Sequence, residues 1–145
     1  MEKDWKERFG GRVRLRICGI LKEGDRLLMV KHQGLGPAGF LWNPPGGGVQ
    51  FGESYADTLI REFREETGLE VEPVEFILFN EHIGDDIHAV ELFFSVRKTG
   101  GNRALGHDPE LPADNQMLKD IRFWNRDEIT PSSEPQFHKR WKEFF

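Results

Sequence analysis

The chain has 145 residues, of which 37% are hydrophobic, and this suits one compact domain with an ordinary core, not a tandem array or a disordered segment. Its 25 acidic and 20 basic residues give a net charge of −5, which disfavours binding to nucleic acid polymers or anionic membranes. A single cysteine excludes an internal disulfide framework. The first residues are charged, and no apolar run reaches the length of about 18 residues that spans a membrane, so we expect a cytoplasmic protein.

Two strands and a turn are predicted near the start of the chain. Residues 13–21 and 26–31 are strand-like, and the polar residues 22–25 between them have the length of a hairpin turn. We therefore expect these two strands to pair antiparallel with each other. Residues 34–48 are rich in glycine and proline, which indicates a shaped loop with a short apolar patch at 40–42.

An amphipathic helix is predicted over residues 54–67. Its apolar positions lie on one stripe at about 100° per residue. They are Ala56, Leu59, Ile60 and Phe63. Ser54, with Asp57 three residues later, is suited to cap the start of this helix, and Gly68 stands where a left-handed residue commonly ends one.

The second half of the chain predicts further strands and a last helix. Residues 74–79, 89–96 and 121–124 are strand-like, and residues 100–115 indicate a loop. After Pro131, Ser133 and Gln136 can cap a helix with one apolar face. That face would carry Phe137, Trp141 and Phe144. Strands mixed with two helices predict an α/β domain whose mixed sheet is covered on both sides.

Three carboxylates fall on one side of the predicted helix over 54–67. Relative to Glu62, Glu65 lies at about −60° and Glu66 at about +40°, beside the apolar stripe. Like charges at this spacing repel, and partial burial increases the cost, so a positive group should neutralise them. All-oxygen ligands on a rigid helix suit a hard divalent cation such as Mg²⁺, whereas the alternative is a solvated face of Arg–Glu pairs.

Residues 47–69 resemble the Nudix box, G-x5-E-x7-R-E-U-x-E-E-x-G-U, in which U is an aliphatic or bulky apolar residue. The match holds at every fixed position of the motif. These positions are Gly47, Glu53, Arg61, Glu62, Phe63, Glu65, Glu66, Gly68 and Leu69. The surrounding strands are also similar to those of the family, which favours the metal site over the solvated face.

The resemblance implies one domain over residues 1–145, an α/β/α sandwich in which a loop-helix-loop motif lies at one edge of a mixed sheet. It also implies a pyrophosphohydrolase that uses Mg²⁺ or Mn²⁺ and acts on a nucleoside diphosphate linked to another moiety. Nucleoside triphosphates, nucleotide sugars and ADP-ribose all remain open as small-molecule substrates. The alternative is a Nudix-fold module that senses a nucleotide without hydrolysing it, but such modules usually lose box carboxylates.

The resemblance also assigns roles to residues of the box. Glu62, Glu65 and Glu66 would be metal ligands, and Arg61 would orient a carboxylate of the site. Glu53 would support the site by hydrogen bonding or through metal-bound water. Metal ions would neutralise the diphosphate charge and position the attacking water, but which carboxylate takes the proton from that water stays open.

Candidates for substrate binding lie ahead of the box and at its start. The glycine-rich loop 34–42 can approach a ligand closely, and its rings Phe40 and Trp42 offer flat surfaces for stacking a nucleobase, with Trp42 the main candidate for contact. Gly46, Gly47 and Gly48 are also candidates for substrate binding. Most aromatic residues of a small domain belong to its core, which is the alternative for these two rings. Three arginines alternate along the first strand and either grip phosphates or face solvent. They are Arg12, Arg14 and Arg16.

One further acid is predicted outside the box. Glu110 stands between two prolines in a long loop at 106–115, which could close over a substrate and bring a carboxylate to the attacking water. The alternative is a solvated acidic loop that only links two strands. We expect the protein to be a monomer or a homodimer.

Overall fold

The computed structural model describes residues 10–84, 86–106 and 117–145. In chain order its strands and helix are β1 (Val13–Ile20), β2 (Lys22–Glu23), β3 (Arg26–Gln33), β4 (Phe40–Asn43), β5 (Gly46–Gly48), α1 (Tyr55–Thr67), β6 (Leu69–Gly84), β7 (Ile87–Gly101) and β8 (Leu118–Asn125). Short 3₁₀ turns follow at Arg126–Glu128, Glu134–Gln136 and Trp141–Glu143. Within these ranges no helix combines the length and the apolar character that crossing a membrane requires.

The strands form two four-stranded sheets. The first has the order β5-β1-β7-β6, in which β1 is antiparallel to β5 and parallel to β7, and β7 is antiparallel to β6. In the second sheet, β3 pairs antiparallel with β2, β4 and β8. The parallel pairing of β1 with β7 among antiparallel pairs confirms the predicted mixed α/β class.

The predicted hairpin between the first two strands is wrong. Only the short β2 pairs with the start of β3, through the partners Lys22–Leu27 and Glu23–Arg26. β1 instead lies between β5 and β7 in the other sheet. The reason is that its end is buried on both faces from Ile17 onward, as is typical of a central strand with a neighbour on each side.

The helix α1 packs its apolar stripe between the two sheets. Leu59 and Phe63 are fully buried, and they share one apolar cluster with Ile17 of β1 and Leu28 of β3. A methyl group at Gly19 would overlap the Phe63 ring, so the absence of a side chain there lets the helix approach the sheet closely. This packing fixes the helix, and with it the carboxylates on its flank, against both sheets.

The predicted C-terminal helix is also wrong. The 3₁₀ turn at Glu134–Gln136 ends at Phe137, whose backbone is extended, with φ −121° and ψ 155°. Phe137 forms a parallel bridge with Trp42, and the N–H of His138 donates to the Trp42 carbonyl at 3.0 Å. Pairing with β4 therefore holds this backbone extended in place of a helix. The apolar residues of the predicted helix face are nevertheless buried, as expected. Phe137, Trp141 and Phe144 are at most 7% exposed.

Candidate active site

Both ends of α1 have the caps that the sequence predicts. Ser54 is extended and its hydroxyl accepts a hydrogen bond from the N–H of Asp57 at 3.1 Å. Gly68 is left-handed, with φ 74°, and its N–H donates to the Arg64 carbonyl at 3.1 Å. These caps confirm the predicted helix, and its regular geometry places the acidic side chains of successive turns on one flank.

The strand β5 lies directly against these acidic side chains. The N–H of Gly46 donates to Oε1 of Glu66 at 2.9 Å, and a methyl group at Gly47 would overlap the Glu62 carboxylate. A methyl group at Gly46 would overlap the Ile17 carbonyl of the neighbouring strand. Glycine at these positions therefore allows the backbone of β5 to approach the carboxylates as closely as it does.

Arg61 joins the carboxylates to one another. It grips Glu53 with two hydrogen bonds, from Nε at 2.7 Å and from Nη2 at 2.9 Å. Its Nη1 donates to Glu62 at 2.9 Å and to Glu65 at 3.3 Å, and Nη2 also reaches the Gly48 carbonyl at 3.2 Å. One guanidinium thus holds the helix, its preceding loop and β5 in a fixed arrangement.

Glu53 is held as an anion outside the helix. The hydrogen bonds from Arg61 lower its pKa to about 2, against the effect of burial, and the Thr58 hydroxyl adds a further bond at 2.7 Å. The carboxylate therefore has its acceptors occupied and is ionised at neutral pH. In this arrangement it fixes the position of Arg61, and its support of the metal site stays a prediction.

The Glu62 carboxyl lies partly buried close to that of Glu66, and this environment disfavours its ionised form. Burial raises the pKa of Glu62 to about 7, and the charge of Glu66 acts in the same direction while Arg61 opposes it. Glu66 is 6% exposed, and its second oxygen lies 3.7 Å from Nε2 of His32. A cation placed between these two carboxylates would relieve their repulsion.

The residues present fit a hard divalent cation by their chemistry. In the described ranges, no three acidic, cysteine or histidine side chains already surround one point as metal ligands would, because Glu62 and Glu65 bond to Arg61 and Glu66 bonds to Gly46. The donors are nevertheless all carboxylate oxygens on one rigid helix, as Mg²⁺ prefers. The Glu65 side chain is 31% exposed and its bond to Arg61 is the longest of the set, so it is free to turn toward a cation.

The other predicted site residues are spread over several places. Arg16 lies across from Gly48 in the pairing of β1 with β5. Trp42 is 6% exposed and packs edge-on against Trp124, with ring centroids 5.2 Å apart, so it belongs to the core. Phe40 is partly buried beneath the Lys31 ammonium, which lies 4.3 Å from the ring centroid. Substrate contacts by the two aromatic rings stay a prediction.

Glu110 lies outside the described residues, and its role as a further acid also stays a prediction.

The sequence analysis did not predict one set of buried polar residues. Asn80, Glu91 and His138 are each at most 5% exposed, and Asn80, His138 and Arg16 all bond to Glu91. A signal for Glu91 was present, since it stands in phase with the buried Ala89 and Phe93 of β7, where an apolar residue is expected.

The chain matches the family model described as the NUDIX domain over residues 11–145. It is 26% identical to the ADP-ribose pyrophosphatase of Methanocaldococcus jannaschii, over 74% of this chain and 72% of that protein. It is 33% identical to the 8-oxo-dGDP phosphatase NUDT18 of Mus musculus over 79% of this chain, but the match spans only 34% of the mouse protein.

Solved structures show the same fold. The MutT NUDIX hydrolase from Burkholderia pseudomallei superposes with a TM-score of 0.73 at 19% identity, over 92% of this chain and 96% of that chain. A UDP-X diphosphatase superposes with a TM-score of 0.67 at 17% identity, over 99% of this chain and 68% of that chain. At these identities the likeness concerns the arrangement of strands and helix alone.

Proposed function

Because the chain belongs to the NUDIX family and is a Nudix pyrophosphohydrolase, we propose that it cleaves the diphosphate of a nucleoside diphosphate joined to another moiety, with a bound divalent cation. The observation that supports this most directly is the grouping of Glu62, Glu65 and Glu66 beside the glycines of β5. A diphosphate needs both a counter-ion and a backbone that it can approach closely, and this flank of α1 offers both.

We assign the cation, Mg²⁺ or Mn²⁺, to Glu62, Glu65 and Glu66. When bound, it would neutralise phosphate charge and stabilise the oxygen that leaves. Arg61 holds Glu62 at 2.9 Å and keeps its carboxylate turned toward β5. Glu53 contributes by fixing Arg61, because its two oxygens take the bidentate grip of the guanidinium.

The archaeal relative favours a substrate in which a nucleoside diphosphate carries a second group. The archaeal relative acts on ADP-ribose, and the match includes most of both chains. The mouse relative acts on 8-oxo-dGDP, but only about a third of it is matched. We therefore propose ADP-ribose and nucleotide sugars ahead of nucleoside triphosphates as the substrate class.

A panel assay tests this function. The protein is stripped with EDTA, supplied with Mg²⁺ or Mn²⁺, and incubated with ADP-ribose, a UDP-sugar and nucleoside triphosphates, and the nucleotide products are separated and measured by chromatography. We expect turnover only with metal, and fastest with ADP-ribose or the UDP-sugar. Full turnover in EDTA would refute the metal role. Tight nucleotide binding with no turnover of any compound would favour the alternative, a nucleotide-sensing module.

A further inference from the structure

A buried polar cluster lies next to the candidate active site, on the face of the first sheet that also carries Cys18 and Phe93. It consists of Arg16, Asn80, Glu91 and His138. The box resemblance assigns no role to the last three of these residues. Burying a charged pair costs more than burying apolar side chains of similar size, so a pair kept in this place calls for a reason.

Glu91 is the centre of the cluster. Its Oε1 accepts hydrogen bonds from Asn80 at 3.0 Å and from Nε2 of His138 at 2.8 Å, and its Oε2 accepts from Nη1 of Arg16 at 2.7 Å. Burial acts to raise the pKa of Glu91, but the His138 bond and the Arg16 charge outweigh it and lower the pKa to about 2. Glu91 is therefore a carboxylate with three fixed donors.

The ring nitrogen of His138 that faces Glu91 is a hydrogen-bond donor. Its Nδ1 accepts a hydrogen bond from the N–H of Arg140 at 3.0 Å, so the ring proton is placed on Nε2, which faces the carboxylate. The backbone of His138 is tied to Trp42 of β4 at the same time. The C-terminal segment and β6 thus hold Glu91 from two directions and leave it one orientation.

Arg16 keeps N–H donors that no residue in the described part of the chain takes up. Among the described residues only its Nη1 is bonded, whereas a guanidinium carries five N–H donors. Its side chain is 18% exposed, and in the strand pairing it lies across from Gly48, next to the glycine that touches Glu62. The negative charges of Glu62 and Glu66 both reach it.

We propose that Glu91 is a positioning residue which, together with Asn80 and His138, aims the free N–H donors of Arg16 at a phosphate oxygen of the substrate. The proposal rests on the proposed function, since it places that phosphate beside the box carboxylates. A fixed guanidinium binds an anion at a lower entropic cost than a mobile one, so the cluster raises affinity for the diphosphate. It acts on substrate binding and leaves bond cleavage to the box.

Glu91→Gln is the most informative substitution. The new amide can still accept from Asn80 and His138 through its oxygen, but its nitrogen presents donors to Arg16 and so releases the guanidinium. We expect KM to rise by about tenfold or more while kcat changes by less than about threefold. Glu128→Gln, which alters an exposed carboxylate paired with Arg122, is the matched control and should change neither constant.

A double-mutant cycle separates positioning from a purely structural role. Arg16→Met should raise KM to a similar extent, and adding Glu91→Gln to it should have no further effect, because Glu91 then has nothing to position. Additive increases in KM would overturn the proposal. If Glu91→Gln alone fails to fold, the double variant, which buries no unpaired charge, is compared with Arg16→Met and serves the same test.

Binding of inorganic pyrophosphate tests the proposal without turnover. Its Kd in Mg²⁺, measured by calorimetry, should rise by about tenfold in folded Glu91→Gln, whereas the Kd of adenosine should not change. An unchanged pyrophosphate Kd, or an equal loss of adenosine affinity, would overturn the proposal. A protein that hydrolyses none of the panel compounds but shows the expected loss of pyrophosphate affinity would refute the proposed function and leave this inference standing.

Discussion

Glu62→Gln is expected to stabilise the metal-free protein at alkaline pH while it abolishes hydrolysis. The Glu62 carboxylate is buried beside Glu66, and this environment disfavours its ionised form. The amide has the same shape and can still accept the hydrogen bond from Arg61, but it carries no charge. The substitution therefore removes a repulsion that, under the proposed function, a bound cation would relieve.

The size and pH dependence of this effect follow from the pKa of Glu62. A rise in pKa from the ordinary 4.5 to about 7 sets a ceiling of about 3 kcal/mol on the cost of ionising Glu62 in the folded state. Weakening the charged bond to Arg61 offsets roughly half of the gain, which leaves about 1 to 2 kcal/mol. Because the folded pKa is raised, wild-type stability falls as the pH increases from about 4.5 to 7, so the variant gains most above that window.

Thermal unfolding in EDTA measures this prediction. At about pH 8 the variant should unfold roughly 3 to 6 °C above wild type, and most of the difference should vanish at about pH 5. Added Mg²⁺ should raise the Tm of wild type but much less that of the variant. A variant that is less stable than wild type at pH 8, or a gain independent of pH, would refute the view that Glu62 carries uncompensated charge.

Three further outcomes concern the same site. Glu66→Gln should lower kcat by at least about 10²-fold in a steady-state assay, because it removes a charged ligand of the proposed metal site yet keeps the bond to Gly46. A kcat near that of wild type would show that the metal does not bind at Glu66. Gly47→Ala should also lower kcat strongly, because its methyl group displaces Glu62, whereas Gly100→Ala meets only a 4.0 Å contact and should be neutral. Glu110→Gln should depress kcat but not nucleotide binding in Ca²⁺, and unaltered kcat would leave this residue in a solvated loop.

The central helix could be predicted because its signals are local. The apolar stripe, the cap at Ser54 and the left-handed residue Gly68 all lie within one stretch of sequence, and the structure has each of them. The grouping of Glu62, Glu65 and Glu66 follows from helical geometry alone. Structural features that depend only on neighbouring residues could therefore be predicted from the sequence.

Features that depend on residues far away in the chain could not be predicted from the sequence. The strand-like residues 13–21 and 26–31 favour a hairpin, but the parallel partner of β1 lies in the second half of the chain. The amphipathic spacing around Phe137 favours a helix, yet a bridge to Trp42 holds that backbone extended. Glu91 was overlooked because its three donors come from separate elements, and no spacing in the sequence links them.

The parallel pairing of β1 with β7 also affects how the chain folds during its synthesis. Arg16 and Glu91 are 75 residues apart, so a chain emerging from the ribosome exposes one edge of β1 until β7 has been synthesised. Closing so long a loop costs entropy before any contact repays it, which slows folding relative to a helical domain of this size. During that interval the unpaired edge of β1 is open to other strands, and chaperones that shield such edges should improve the yield of folded protein.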